Sequence, residues 1–226
     1  MQHADPHGEQ DVIFAGHDLG TAGSAFILLH GRGASARDIL AVGQHLAGQQ
    51  NALIAPEAAS HSWYPYSFLA PLAQNQPWLD SALGKVGSCL DICVSAGIAT
   101  DRIAIIGFSQ GACLATEFVA RNPTRYGAVI AFTGGLLGPL GTPLDHHGAL
   151  KGTPILLTSG DPDPHVPWQR VEETGEVLGR MGAAVQLMRH PDRPHTILNS
   201  ELHAAGDLLR SAGLSPGRET EEFTFR

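Results

Sequence analysis

Short apolar segments alternate with longer amphipathic segments along most of the chain. The apolar segments are typical of buried strands, and they predict strands over residues 25–29, 52–55, 102–106, 128–132, 154–158 and 185–189. The amphipathic segments predict helices over residues 36–47, 76–96, 109–121, 167–181 and 196–212. This repeated alternation of strand and helix predicts an α/β fold with a mostly parallel sheet and helices on both faces.

The order of these elements indicates where a functional site would lie. Ligands of open parallel sheets sit beyond the carboxyl ends of the strands, and each chemically distinctive segment of this chain directly follows a predicted strand. The sequence has no internal repeat, and its length of 226 residues is typical of one domain. We therefore predict a single domain over residues 1–226, with polar tails at about 1–10 and 215–226.

Composition and charge narrow the class of protein. A hydrophobic fraction of 43% with 16% charged residues excludes a wholly disordered chain. The formal net charge is −8, and no run of Lys and Arg is present, so we expect neither nucleic acid nor an anionic membrane surface as a partner. The sequence contains no run of 18 apolar residues and no signal-peptide pattern at its start. These features predict no membrane span and a cytoplasmic location.

The cysteines and histidines do not indicate a metal or redox centre. An odd number of cysteines argues against a disulfide framework, and we interpret Cys89, Cys93 and Cys113 as small buried thiols. The chain has 12 histidines, but they do not show the spacing on one rigid element that a metal site requires. We therefore expect no metal and no other cofactor.

The strongest chemical signal is the segment Gly107-Phe108-Ser109-Gln110-Gly111. It follows a predicted strand and opens a predicted helix, which is the setting that a nucleophile elbow requires. The glycines leave room for a tight, strained turn that exposes the serine hydroxyl at the edge of the sheet. The alternative is a serine that only caps the helix.

A nucleophilic serine needs a base, and the base needs an acid that fixes its tautomer. In this fold class the chain order is serine, acid, histidine, and the last two predicted strands lead into suitable loops. The first of these loops offers Asp161 and Asp163, of which we favour Asp163 because it lies deeper in the loop. The second offers His190 and His195, of which we favour His195 because it stands just before a helix.

Two backbone N–H groups are expected to hold the oxyanion that forms during acyl transfer. One should come from Gln110, which follows the candidate nucleophile, and the other from Arg32 in the loop after the first predicted strand. The alternative for the segment 30–33 is a simple Gly-rich turn. A phosphate cradle is not indicated, because the strings that define nucleotide-binding loops are missing.

A loop rich in aromatic residues follows the second predicted strand and is expected on the rim of the site. Its candidate substrate contacts are Trp63, Tyr64, Tyr66 and Phe68. Further candidates for an acyl-binding wall are Leu136, Leu137, Leu140 and Trp168. The alternative is a loop tucked against the core. Because no insertion is long enough for a large lid, we expect an open, shallow site that prefers short to medium acyl chains.

Four segments together resemble the phospholipase/carboxylesterase family of α/β-hydrolases, which includes the acyl-protein thioesterases. They are the segments 30–33 (His-Gly-Arg-Gly), 107–112 (Gly-Phe-Ser-Gln-Gly-Ala), 161–167 (Asp-Pro-Asp-Pro-His-Val-Pro) and 194–195 (Pro-His). The resemblance covers about residues 22–212. It implies an α/β-hydrolase fold, a metal-free reaction on carboxylic esters or thioesters, and the site residues already named: Ser109, Asp163 and His195 as the triad, with Arg32 and Gln110 as oxyanion donors.

The chain departs from the family pattern at two places. Arg193-Pro194 precedes His195, where the family usually has Gly-x-Gly. Arg32-Gly33-Ala34 follows His-Gly, where the thioesterase branch commonly has Leu-Gly-Asp. Both departures favour a bacterial small-ester hydrolase over an enzyme that removes palmitate from proteins.

The sequence therefore predicts a serine carboxylesterase that hydrolyses short- to medium-chain esters through an acyl-enzyme. The alternatives are an acyl thioesterase or lysophospholipase, and, from another class, a non-catalytic binding protein on the same scaffold. The expected partner is a small-molecule ester. Family members are often dimers, so the resemblance also suggests a homodimer.

Overall fold

The computed structural model describes residues 5–141 and 143–214. Its strands are β1 (Val12–Gly16), β2 (Ser24–Leu29), β3 (Asn51–Pro56), β4 (Ile103–Phe108), β5 (Ala128–Phe132), β6 (Pro154–Asp161) and β7 (Ala184–Pro191). Its α-helices are α1 (Ala36–Leu46), α2 (Trp78–Ser95), α3 (Gln110–Arg121), α4 (Trp168–Arg180) and α5 (Asn199–Ser211). The strands form one sheet in the order β1-β3-β2-β4-β5-β6-β7.

All neighbouring strands from β3 to β7 pair in parallel, as the sequence predicted. The exception is β1, which the apolar pattern did not predict and which pairs antiparallel with β3, Val12 lying opposite Pro56. As an edge strand, β1 is only partly buried, so it lacks the continuous apolar run by which the central strands were found. The parallel order brings the carboxyl ends of β2, β4, β5, β6 and β7 to one edge of the sheet.

Each face of the sheet carries its own hydrophobic core. Alternate residues of β2 point to opposite faces, so Ile27 packs in one core, whereas Phe26 and Leu28 pack in the other. Helices α2, α3 and α4 cover the first face, and α1 and α5 cover the second. The prediction of helices on both faces is confirmed.

Helix α1 begins where the sequence placed its cap. Ser35 Oγ accepts a hydrogen bond from the backbone N–H of Asp38, and the Asp38 carboxylate accepts one from the N–H of Ser35. These reciprocal bonds satisfy donors that the first turn would otherwise leave unpaired. Helix α1 therefore starts directly after the loop 30–35, which it helps to hold at the carboxyl edge of β2.

The N-terminal residues 5–10 are not the polar tail that the sequence suggested. The His7 side chain is fully buried, its Nε2 lies 2.9 Å from the carbonyl oxygen of Trp63, and its backbone N–H donates to Ser81 Oγ. Lys85 Nζ adds a hydrogen bond to the carbonyl of Gly8. The remaining residues of the expected tails, 1–4 and 215–226, lie outside the described residues.

The three cysteines are buried and free, as interpreted from the sequence. Burial raises the pKa of Cys89 to about 11 and the pKa values of Cys93 and Cys113 to about 12. These thiols therefore stay protonated at neutral pH and act as small apolar side chains. Within the described ranges, no helix is both long and apolar enough to cross a bilayer.

Candidate active site

Ser109 occupies the turn between β4 and α3, at the centre of the carboxyl edge. Its backbone has φ 54° and ψ −117°, a conformation that L-residues rarely adopt. Two hydrogen bonds hold it there: the Ser109 N–H donates to the carbonyl of Phe132 (2.9 Å), and the Cys113 N–H donates to the Ser109 carbonyl (3.0 Å). Because the backbone is fixed from both sides, the serine side chain is held out over the edge of the sheet.

The two glycines of the motif are required by close backbone contacts. A Cβ on Gly107 would lie 2.3 Å from the carbonyl oxygen of Gly111, and a Cβ on Gly111 would lie 2.1 Å from that of Leu29. Neither backbone oxygen can move aside, because each belongs to a central element of the fold. The steric reason inferred from the sequence is therefore visible in the structure, where α3 packs directly on the strands.

The structure brings Ser109, His195 and Asp163 together at this edge. His195 Nε2 lies 2.9 Å from Ser109 Oγ, and His195 Nδ1 lies 2.9 Å from Asp163 Oδ2. An ionised carboxylate can only accept, so Nδ1 carries the ring proton and Nε2 is free to accept the proton of the serine hydroxyl. This tautomer is the one in which a histidine can act as a general base toward a serine.

Asp163 is oriented by its own loop. The backbone N–H groups of His165 and Val166 both donate to Asp163 Oδ1 at 2.9 Å. Burial alone would raise the pKa of Asp163, but the hydrogen bonds from His195, His165 and Val166 outweigh it and lower that pKa below its usual value. The carboxylate is therefore held ionised and directed at the imidazole.

The alternative acid and base lie elsewhere. Asp161 forms an ion pair with Arg189 on the neighbouring strand β7. The alternative base, His190, belongs to β7, with its ring Nε2 buried and without a hydrogen-bond partner in the described part of the chain. Neither residue is in the hydrogen-bonded chain that ends at Ser109, which runs through Asp163 and His195.

Two rings flank the His195 imidazole. The Phe108 ring lies 5.2 Å from it, and the His165 ring lies 4.9 Å from it in an edge-to-face arrangement, both measured between ring centroids. His195 retains 20% side-chain exposure, whereas the Asp163 side chain is fully buried. The imidazole is therefore packed on two sides and open toward the cleft.

A cleft of about 640 Å³ opens in front of Ser109. Arg32 and Gln110, the residues expected to supply the oxyanion N–H groups, both border it, together with His195 and His165. The N–H of Gln110 is the first of helix α3, and the first N–H groups of a helix have no partner within it. Both residues thus border the cleft in front of Ser109, and their role as oxyanion donors stays a prediction.

The side chains of Arg32 and Gln110, as distinct from their backbone N–H groups, form hydrogen bonds that the sequence did not reveal. The Arg32 guanidinium donates to Ser62 Oγ and to the carbonyls of Tyr64, Pro65 and Tyr66, at 2.8–3.0 Å.

The Gln110 side chain binds the same loop. Its Oε1 accepts from the Trp63 N–H (2.9 Å), and its Nε2 donates to the Tyr64 carbonyl (2.8 Å). Both residues therefore fix the loop 62–66 as a wall of the cleft.

The aromatic loop is divided between the cleft and the core. Tyr64, Tyr66 and Phe68 border the cleft, with Tyr66 57% exposed. Trp63 does not border it: the indole is fully buried, and its Nε1–H donates to the carbonyl of His30 (2.9 Å). Its placement on the rim is corrected, because a buried indole N–H needs an acceptor and finds one beneath the loop.

The other proposed wall residues also lie away from the cleft. Leu136 and Leu137 are buried in the core, where the N–H of Leu137 donates to the Glu117 carboxylate (3.0 Å). Leu140 is 43% exposed, and Trp168 begins α4, its ring 5.8 Å from the Arg189 guanidinium. These four expected wall positions are corrected, because Leu136 and Leu137 pack in the core and neither Leu140 nor Trp168 borders the cleft.

In the part of the chain that the structure describes, no group of three or more His, Cys, Asp or Glu side chains is arranged to hold a metal ion. The expectation that the protein works without a cofactor stays a prediction.

The sheet order, the elbow after β4 and the acid and histidine loops after β6 and β7 define an α/β-hydrolase. Residues 12–212 match the phospholipase/carboxylesterase family, and the chain belongs to that family. A crystal structure of a phospholipase/carboxylesterase from Dyadobacter fermentans DSM 18053 is 42% identical to it, with a TM-score of 0.86, and the alignment covers 93% of this chain and 98% of that one.

Curated relatives carry two kinds of name. Acyl-protein thioesterase 1 of Neurospora crassa is 32% identical over 120 residues, which cover 51% of this chain and 48% of the relative. Esterase YpfH of Escherichia coli K12 is 32% identical over 115 residues, which cover 51% of this chain and 47% of the relative. The chain thus spans about half the length of the curated relatives it matches.

Proposed function

We propose that this protein is a serine carboxylesterase that works through an acyl-enzyme. The observation that supports the proposal is the unbroken chain of hydrogen bonds from Asp163 through His195 to the Ser109 hydroxyl, at the edge of an open cleft. A serine hydroxyl is a weak nucleophile until a base takes its proton, and this arrangement supplies the base and the group that orients it.

In the proposed reaction, Ser109 Oγ attacks the ester carbonyl while His195 Nε2 accepts the hydroxyl proton. The negative charge on the carbonyl oxygen is stabilised by the N–H groups of Gln110 and Arg32. His195 then gives its proton to the departing alcohol, and the acyl group remains on Ser109. Water, activated by the same imidazole, attacks the acyl-enzyme and releases the acid, which restores the starting state.

The shape of the cleft supports short to medium acyl chains. One wall consists of Tyr64, Tyr66 and Phe68, which suit apolar acyl or aryl groups. Because the cleft is open, the end of a long acyl chain beyond this wall would stay in contact with water. We therefore propose that small esters are better substrates than long-chain lipids.

A thioesterase activity is the second candidate, and its support is the similarity to acyl-protein thioesterase 1. Lysophospholipid hydrolysis is a further candidate that the family description raises. The alternative from another class is a binding protein without catalysis. In such a protein the Ser109–His195 hydrogen bond would have no chemical role. A cytoplasmic location and a homodimer stay predictions.

Fluorophosphonate labelling followed by a substrate panel tests the proposal. The wild-type protein should be labelled at Ser109, and Ser109→Ala should lose both labelling and hydrolysis of p-nitrophenyl butyrate. Ser88→Ala, a control on the exposed side of α2, should behave as the wild type. Absence of labelling in the wild type would support the binding protein, and faster turnover of acyl-CoA than of simple esters would support the thioesterase.

A further inference from the structure

Arg193 stands two residues before His195, and its side chain is only 1% exposed. Burial of a guanidinium is costly unless its charge and its donors are satisfied. Burial lowers the pKa of Arg193, while the carboxylates of Glu201 and Asp163 oppose that shift. The contacts of the Arg193 guanidinium show what it does so close to His195, the candidate base.

The Arg193 guanidinium forms hydrogen bonds with the backbone on both sides of His195. Arg193 Nη1 donates to the carbonyl of Pro194 (3.1 Å) and to the carbonyl of Thr196. These are the residues directly before and directly after the histidine. One rigid planar group therefore binds one backbone carbonyl on each side of His195.

The same guanidinium connects this segment with the strand beside the nucleophile. Arg193 Nη2 donates to Thr133 Oγ1 at 2.6 Å. Thr133 directly follows Phe132, whose carbonyl accepts the backbone N–H of Ser109 (2.9 Å). The histidine segment and the elbow are thus tied to adjacent residues at the end of β5.

An ion pair anchors the other end of the histidine segment. Arg193 Nη2 lies 3.4 Å from Glu201 Oε1, and both side chains are buried. Glu201 Oε2 accepts the N–H of Leu198 (2.7 Å) at the start of α5. The guanidinium therefore holds the segment 193–198 between β5 and α5.

The acid loop packs against the same residue. A Cβ on Gly160, near the end of β6, would lie 2.8 Å from the carbonyl oxygen of Arg193. Gly160 is followed by the loop that carries Asp163, so the acid and histidine loops touch where Arg193 begins its turn. A shift of Arg193 would consequently disturb both partners of the imidazole.

We propose that Arg193 is a positioning residue that clamps the backbone around His195 and so sets the distance from His195 Nε2 to Ser109 Oγ. The inference rests on the proposed function, because it assigns the clamp to the same reaction. It predicts that loss of the clamp lowers the rate of the chemical step more than it affects substrate binding.

The test variant is Arg193→Met combined with Glu201→Gln, which removes both charges and so avoids leaving one of them buried and unpaired. With p-nitrophenyl butyrate as substrate, we expect kcat to fall about ten- to a hundredfold while KM changes by less than about threefold, because small displacements of a catalytic group are costly. The fluorophosphonate labelling rate should fall with kcat. Arg193→Lys, which keeps the charge but has fewer donors, should recover part of the loss.

Arg170 is a matched control, because its side chain is also fully buried. It donates to the carbonyls of Leu136 and Gly138 and forms an ion pair with Glu173. Arg170→Met with Glu173→Gln should lower the melting temperature to a similar extent but leave kcat within about twofold. Equal losses of kcat in the two double variants, or an unchanged kcat in the Arg193 variant, would overturn the proposal.

A measurement that does not depend on activity separates this inference from the proposed function. The Nδ1 proton of His195, hydrogen-bonded to Asp163, should give a downfield proton resonance in the wild type and in the Arg170 double variant. It should disappear or broaden in the Arg193 double variant and partly return in Arg193→Lys. If the wild type hydrolyses no ester, the proposed function fails, and the resonance still decides whether Arg193 positions His195.

Discussion

The imidazoles of His7 and His30 accept hydrogen bonds from two consecutive backbone N–H groups. The N–H of Ala59 donates to His7 Nδ1 (3.0 Å), and the N–H of Ala58 donates to His30 Nε2 (3.1 Å). Both imidazoles also contact the indole of Trp63, with ring centroids 5.5 Å and 5.0 Å away. Each nitrogen accepts only when it carries no proton, so protonation of these nitrogens would break the hydrogen bonds to Ala58 and Ala59.

Acid should destabilise the protein through these histidines. Burial lowers the pKa of His7 and of His30 below their ordinary value of 6.5. Between that ordinary value and the lowered one, the unfolded state binds more protons than the folded state, so stability falls as the pH drops below about 6.5. Urea unfolding from pH 8 to pH 5 should show this decrease.

The variant His7→Gln isolates one of the two histidines. It should be less stable than the wild type at pH 7, but it should lose less stability between pH 7 and pH 5. His147→Gln, which replaces an imidazole that is 85% exposed, is the control and should keep the wild-type pH dependence. An identical pH dependence in His7→Gln would show that His7 is not an acid-sensitive group.

Gly111 should not tolerate a side chain. In Gly111→Ala, the new Cβ would meet the Leu29 carbonyl oxygen at 2.1 Å, so the elbow would have to move away from β2. We expect a loss of stability of about 3 kcal/mol or more together with loss of hydrolysis.

Gly84 on the exposed side of α2 is the matched control, because no atom lies within 4 Å of the position that a Cβ would occupy there. Gly84→Ala should raise stability by about 0.5–1 kcal/mol, since alanine is the better helix former. Thermal unfolding and p-nitrophenyl butyrate hydrolysis measure both effects, and an active, stable Gly111→Ala protein would contradict the close packing of the elbow.

Arg32→Met should weaken substrate binding more than it slows chemistry. The variant keeps the backbone N–H proposed for the oxyanion but removes the guanidinium bonds to the loop 62–66. We expect KM for p-nitrophenyl butyrate to rise about tenfold with kcat within about threefold. Arg37→Met, at an exposed position of α1, is the control, and a fall in kcat alone would assign the Arg32 side chain to the chemical step.

The acyl-chain preference can be read from a series of p-nitrophenyl esters. Because the cleft is open and its aromatic wall is short, kcat/KM should be highest for short to medium chains and should not keep rising beyond decanoate. Tyr66→Ala removes the exposed ring of the wall and should lower kcat/KM for hexanoate more than for acetate. A steady rise with chain length in the wild type would indicate a longer acyl channel.

The fold, and the hydrogen-bonded arrangement of the three central residues of the candidate site, could be predicted because their signals are local or follow from chain order. The segment 107–111 specifies its own turn through two glycines, and Asp163 and His195 follow strands whose carboxyl ends must meet at one edge. Neither inference needs knowledge of side-chain contacts across the molecule.

What the sequence could not predict depends on contacts between distant segments. Trp63 and Tyr66 are equally aromatic, but only packing decides that the first is buried under the loop and the second is exposed at the cleft. His7 lies in an N-terminal segment with no periodic pattern, and its burial depends on Trp63 and Ala59, more than 50 residues away. Arg193 was visible as a departure from a glycine pattern, but its partner Glu201 was not.

In the proposed mechanism, Arg32 and Gln110 each combine a backbone N–H that holds the oxyanion with a side chain that binds the loop 62–66. An engineer who varies either side chain to change which esters fit will therefore alter a residue whose backbone N–H is also proposed to hold the oxyanion. Selectivity can be changed more independently through the rings of Tyr66 and Phe68, which border the same cleft, because Arg32 binds the backbone carbonyl of Tyr66 and not its ring.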